Sequence, residues 1–186
     1  MSKIRVVHYI NQFFAGVGGE EQAHIAPELR KELPPISTQL QGKLGEDFEV
    51  VATVVCGDSY FNENLESVQK ELLEMIKGCE PQLFIAGPAF NAGRYGVAAG
   101  TITKAVQDEL HIPAVTAMYE ENPGTDMFKK DVYILETSDS AAGMRKALPK
   151  LAKFATKLAK GEEILSPKEE GYHQRGLRVN FFSETR

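Results

Sequence analysis

The chain has 186 residues, 42% of them hydrophobic and 25% charged, with a formal net charge of −5 and a pI near 5.5. That length fits one well-filled domain plus a tail and is short for two, and the composition excludes disorder throughout. The acidic balance offers no overall attraction to phosphate backbones or anionic lipid, so neither nucleic acid nor membrane is expected as a partner, and a small polar or amine-bearing ligand fits better.

Residues 4–10 read as a first strand, with Ile4, Val6, Val7 and Ile10 apolar and the polar pair Asn11-Gln12 at its end. His8 inside it reads as a hydrogen-bonded core residue, since no second histidine sits at metal-ligand spacing. The opening MSKIRVVHYINQFF lacks a long apolar run and a small-residue cleavage site, and no stretch approaches bilayer length, so a cytoplasmic location is expected. Cys56 and Cys79 match neither a zinc site nor a CxxC pair, which points to a reducing compartment.

The connection over residues 13–48 is long for an α/β crossover and is interrupted by Pro27, Pro34 and Pro35, so part of it is expected to be functional or to meet a partner. Its Gly16-Val17-Gly18-Gly19 is not a dinucleotide loop, because the third glycine of that fingerprint would fall on Glu21. Gly18 and Gly19 instead let backbone approach a ligand, and Glu20 and Glu21 are expected to open a helix, where the dipole favours acids.

Residues 48–55 form a second, strongly β-branched strand ended by Cys56-Gly57-Asp58, with Cys56 read as a small buried residue. Asn62 or Asn64 then caps a helix whose apolar stripe is Leu65, Val68, Leu72 and Ile76, stopping at Gly78. A third strand, Leu83 to Ala86, halts at Gly87-Pro88. Beyond it Asn91, Arg94 and Tyr95 stand among glycines just before a helix with a stripe of Val97, Ala98, Ile102, Ala105, Val106 and Leu110. Polar side chains and free N–H groups at such a helix start make a seat for a small carboxylate; the alternative is an ordinary turn whose arginine pairs with a neighbouring acid.

Pro113 leads into a fourth strand, Ala114 to Met118, which ends in Tyr119-Glu120-Glu121-Asn122-Pro123-Gly124. In an open α/β sheet the ligand crevice lies at the strands' C-terminal ends, so this cluster is expected to face the loops at Asp58 and Arg94. A fifth strand follows at residues 131–135. Residues 138–140 cap a last helical region whose lysines 150, 153, 157 and 160 read as a solvated face, and Pro149 is expected to kink or restart it. The predicted fold is α/β, a five-stranded, mostly parallel sheet in the flavodoxin-like order 2-1-3-4-5 with helices on both faces. Residues 1–160 form a substrate-crevice domain and residues 161–186 a linker or docking arm, with His173, Arg175 and Arg178 not assigned to catalysis.

The segments VVHYINQFFAGVGGEEQAH, VVCGDSYFNEN, IAGPAFNAGRYGVAAG, MYEENPG and SAAGMRKALPKLAKFATKLAKGEE, in this order, resemble the N-terminal half of the large, selenoprotein B-type subunit of component B of glycine, sarcosine and betaine reductases. The resemblance implies an oxidoreductase of anaerobic amino-acid fermentation that cleaves the C–N bond of glycine or an N-methylated glycine, ultimately giving acetyl phosphate. It implies no cofactor in this chain, with a pyruvoyl group on a companion subunit and a selenocysteine in a C-terminal half beyond this sequence. It also implies selenoprotein A and component C as partners, and leaves homo-oligomerisation open.

On this reading Arg94 holds the substrate carboxylate, and Glu120 or Glu121 balances the ammonium and relays a proton to the departing amine. Tyr60, Phe90, Tyr95 and Tyr119 pack around methyl groups. Asp58, Asn91, Asn122, Gly18 and Gly19 complete the substrate contacts, and no metal is expected. Two alternatives stand beside it: a non-catalytic assembly module of the same complex, and a flavodoxin-like binder of small anions or nucleotides.

Overall fold

A computed structural model of the chain describes residues 2–176. Six strands make one mixed sheet: β1 (Ile4–Asn11), β2 (Glu28–Arg30), β3 (Phe48–Cys56), β4 (Leu83–Ala86), β5 (Ala114–Met118) and β6 (Tyr133–Glu136), in spatial order β2-β3-β1-β4-β5-β6. The five expected strands are parallel neighbours in the expected order. The count of five is corrected to six by β2, which pairs antiparallel with β3 at the edge, Leu29 opposite Val54. Three residues are too short to show a period, and Glu-Leu-Arg carries no β-branched side chain to announce a strand.

Alternate side chains of the central strands feed two cores, as the period of two requires. Val7, Tyr9, Val54 and Phe84 pack with α2 (Asp58–Glu63), α3 (Leu65–Gly78) and α4 (Gly93–Leu110) on one face. Val6, Ile10, Val55 and Ile85 pack with α1 (Pro35–Leu44) and α6 (Met144–Ala159) on the other. Val68, Leu72 and Ile76 of α3 are fully buried at a spacing of four, whereas Leu65, counted in the same stripe, is 39% exposed. His8 is a core residue: its Nε2 donates to the Gly87 carbonyl at 2.8 Å, and its Nδ1 lies 2.8 Å from Ser37 Oγ, which in turn accepts from Thr53. Burial lowers His8 to a pKa of about 4, so the ring is neutral at pH 7.

Other expectations are corrected or refined. Glu20 and Glu21 open only a single 3₁₀ turn, Glu20–Gln22, and the helix of the long connection starts instead at Pro35, where a first-turn proline is tolerated. Helix α6 runs through Pro149 without restarting. Its lysine face carries contacts as well: Lys150 donates to the Glu136 carbonyl, Lys157 to Glu170 and Lys160 to Asp47, with Lys153 and Lys160 exposed. The stretch read as an arm forms α7 (Pro167–Glu170) and then returns to the sheet, where Tyr172 bridges Leu135 and stacks edge-on against Tyr133 at 4.9 Å. His173 is buried there, its Nε2 donating to the Met118 carbonyl. Arg178 lies outside the described residues.

Candidate functional site

The strand C-termini of β1 and β3 and the β4–α4 turn surround a cavity of about 320 Å³, within the ~300–1,000 Å³ range of small-ligand sites. A larger groove of about 660 Å³ lies elsewhere, between the outer faces of α3 and α4, where Lys104 and Asp108 pair with each other. It is remote from the strand ends, so the smaller cavity is the candidate site.

Its floor is built by residues that leave the sheet together. Asn11, the last residue of β1, donates through Nδ2 to Asp58 Oδ2 at 3.0 Å, and its Oδ1 accepts from the Phe14 N–H. Gln12 accepts from the Asp58 N–H at 3.1 Å through Oε1. Asp58 follows Gly57, and only glycine fits there because a Cβ would come 2.3 Å from the Ala23 carbonyl oxygen. That same carbonyl accepts from the Ser59 and Tyr60 N–H groups, so the loop after β1 is sewn onto the start of α2.

Asp58 is 6% exposed, and its Oδ1 has no hydrogen-bond partner. Burial raises its pKa; the Asn11 and Gln12 hydrogen bonds and the Arg94 charge oppose this, and Glu20 adds to it. Tyr95, from the first turn of α4, is fully buried with an unpartnered hydroxyl, and its ring stands 6.2 Å from that of Tyr9, whose hydroxyl is also unpartnered. Burial holds both phenols well above their usual pKa, so they are neutral donors. Phe13, Phe14 and Phe90 supply the apolar wall.

The mouth carries Glu20 and Asn91 and, from the loop after β6, Asp139 and Ser140. Arg94 does not line the cavity. Its guanidinium donates to Ser59 Oγ at 2.5 Å and to both oxygens of Glu20, one at 2.5 Å. The pair is largely exposed, and Glu20 raises the Arg94 pKa. Thus the arginine meets a neighbouring acid, the alternative read from its turn.

Of the residues singled out from sequence, the cavity gathers Gly19, Asp58, Asn91, Tyr95 and Phe90. It does not gather Gly18, Tyr60, Tyr119, Glu120, Glu121 or Asn122. Tyr60 packs on the helix side of the core, and Glu120 and Glu121 are exposed. Tyr119 is half-buried, its backbone N–H on the Phe90 carbonyl. Asn122 is 1% exposed and fully employed: Nδ2 donates to the Phe90 and Ala92 carbonyls at 2.9 and 3.1 Å, and Oδ1 accepts from the Gly124 N–H, capping α5 (Pro123–Phe128). Asn11, Gln12 and Asp139 were not singled out as site residues. The polar pair at the end of the first strand is the signal that could have found Asn11 and Gln12.

The two thiols are unsuited to reactivity. Both are buried, and Cys56 is pushed up to about 12 by burial, with the Asp58 and Glu71 charges adding to the effect. Among the described residues no three His, Cys, Asp or Glu side chains cluster as a metal site requires, and no helix is long and apolar enough to cross a membrane.

A family model described as glycine/sarcosine/betaine reductase selenoprotein B matches residues 3–186. The chain is 73% identical over 186 residues to the glycine reductase complex component B subunit gamma of Peptoclostridium litorale, covering 100% of this chain and 43% of that protein. It is 59% identical over 186 residues to the sarcosine reductase complex component B subunit beta of Peptoclostridium acidaminophilum, with the same coverage. It is 39% identical over 180 residues to the betaine reductase complex component B subunit beta of that organism, covering 97% of this chain and 41% of the relative. The chain therefore spans less than half the length of these curated relatives. No solved structure matches it. Matched along nearly its whole length, the chain belongs to the glycine/sarcosine/betaine reductase selenoprotein B family.

Proposed function

We propose that this chain supplies the amine-substrate crevice of a component B whose substrate is glycine, and so takes part in reductive C–N cleavage leading to acetyl phosphate. The observation that carries the reading is the similarity to component B subunits along the chain, 73% identity to a glycine reductase subunit, with 59% to a sarcosine and 39% to a betaine reductase subunit. The cavity supports it: a small space with a buried acid on its floor and the first turn of a long helix at its border.

The substrate lies with its carboxylate toward the first turn of α4. No side chain caps that turn and no acid occupies it, so its N–H groups and dipole attract an anion. Asn91 adds a donor at the mouth, and the positive charge of Arg94, steadied by Glu20 and Ser59, adds a favourable field. Phe14 and the buried Phe90 give the amine end an apolar wall, where a charge interaction is stronger than in water. Glu120 and Glu121, exposed on the next turn, serve proton exchange only after a partner surface closes over the site.

The reductive chemistry belongs to groups outside this chain. Cys56 and Cys79, buried and with raised pKa values, do not fit a redox role, so no step runs through them. The family implies a pyruvoyl group on a companion subunit and a selenocysteine, which together supply amine activation and reduction. Selenoprotein A and component C are the expected partners, and the cytoplasm the expected location.

The test is turnover by component B assembled with this chain and supplied with the other components. Acetyl phosphate should form from glycine and not from betaine. Formation from betaine alone, or from neither amine, would remove the reading.

A further inference from the structure

Beneath the cavity lies a buried carboxyl group that no cation of the fold contacts directly. Asp58 is an acid on the cavity floor, and only one of its oxygens is engaged: Oδ2 accepts from Asn11 at 3.0 Å, while Oδ1 is buried without a partner. An unpaired buried carboxylate is among the least favourable arrangements a protein interior holds, and it persists where a partner arrives with function. The nearest cation, Arg94, is directed elsewhere, to Ser59 and Glu20. Glu20 and Asp139, the other acids at the cavity, are solvent-exposed, and Glu20 is already paired. Tyr95 contributes a buried hydroxyl, also unpartnered, and Phe13, Phe14 and Phe90 line the apolar side of the cavity.

We infer that Asp58 is the counter-ion of the substrate's ammonium group, its carboxyl group on the cavity floor facing the amine while the substrate's own carboxylate lies toward α4. This deepens the reading of the chain as an amine-substrate crevice and rests on it. The role assigned to Glu120 and Glu121 on the sequence, balancing the ammonium, passes to a single buried acid. A positive group is required at that end of the ligand. An analogue of the same shape that carries a neutral hydroxyl in place of the ammonium leaves Asp58 without its counter-charge.

Glycine and glycolate differ in that one group, so their affinities for the assembled component B isolate it. By calorimetry the wild-type protein should prefer glycine to glycolate by roughly thirtyfold or more, the scale set by a buried charge losing its partner. In Asp58→Asn, which keeps the side-chain shape, the preference should collapse because glycine weakens while glycolate is nearly unchanged. A merely structural role for Asp58 would weaken both ligands together and leave their ratio intact, which would overturn the inference. A wild-type protein indifferent between the two ligands would overturn it without any variant, so the test stands even where Asp58→Asn folds poorly. Absence of glycine binding by the wild-type assembly would remove the proposed function itself, and this inference with it.

Discussion

Two buried polar clusters flank the start of α4, and they differ in whether their hydrogen-bonding capacity is used. Around Asn122 every side-chain atom is engaged: two carbonyls of the 90–92 turn and the first N–H of α5 converge on one amide. Around Asp58 the capacity exceeds the partners, with Oδ1 and the hydroxyls of Tyr9 and Tyr95 unpaired. A satisfied cluster fixes geometry, whereas an unsatisfied one has capacity left for a ligand. The same residue types therefore serve different ends, and only the bookkeeping of partners separates them.

The largest expected effect falls on the satisfied side. Asn122→Ala removes a helix cap and one hydrogen bond from each of two carbonyls, Phe90 and Ala92, which keep the Tyr119 and Gly96 N–H donors, and should cost about 3 kcal/mol of stability in urea unfolding. Asp58→Asn should act in the opposite direction, raising the midpoint slightly, because it removes a charge whose folded-state pKa is raised by burial. A variant that destabilises at Asp58 as strongly as at Asn122 would erase the distinction between the clusters.

His8 sharpens the same contrast through pH. It is a satisfied group held neutral, with its pKa lowered from 6.5 to about 4. Between those values the unfolded chain binds a proton that the folded chain refuses, so stability falls as pH drops through the window from 6.5 to about 4. The shift corresponds to about 3 kcal/mol. His8→Gln should flatten that part of the pH–stability curve, whatever its own effect at pH 7.

A third, smaller effect probes how closely the satisfied cluster is packed. A Cβ on Gly96 would come 2.1 Å from Asn122 Oδ1, and one on Gly124 would come 2.5 Å from the Gly96 carbonyl oxygen. Gly96→Ala must push α4 off α5 and should cost about 2 kcal/mol in the same unfolding assay.

Much of the architecture was legible because it rests on long apolar runs. The β-branched run of β3 and the 83–86 run of β4 marked the strands, the alternation of strands with helices pointed to their order, and the Val68, Leu72, Ile76 spacing marked the buried face of α3. What was not legible depends on contacts distant in sequence. The edge strand Glu28–Arg30 exists because β3 offers it a partner, and α2's start is fixed by the Ala23 carbonyl. The site divides in the same way. Asp58, Asn91 and Tyr95 could be placed by the rule that crevices form at strand ends, but Asn122 looked like a site residue and is a cap. No local pattern reveals that its amide is already fully used, nor that Glu20, 74 residues before Arg94, is its partner.

That pair gives the smallest stability effect and tests the cavity mouth. Both side chains are about half or more exposed, so Glu20→Gln should change stability by no more than about 0.5 kcal/mol. Its effect on the ligand is directional. Glu20 neutralises Arg94 beside the mouth, and removing that charge leaves the guanidinium's field free to act on an incoming carboxylate. It also removes an acid that competes with Asp58 for the ammonium. If Arg94 contributes by its field, glycine should bind a few-fold more tightly in Glu20→Gln, and the gain should fade as ionic strength rises above ~0.1 M. Weaker glycine binding that is insensitive to salt would mean instead that Glu20 acts by holding Arg94 in position. In that case the ion pair belongs with the satisfied cluster around Asn122 and not with the open one around Asp58.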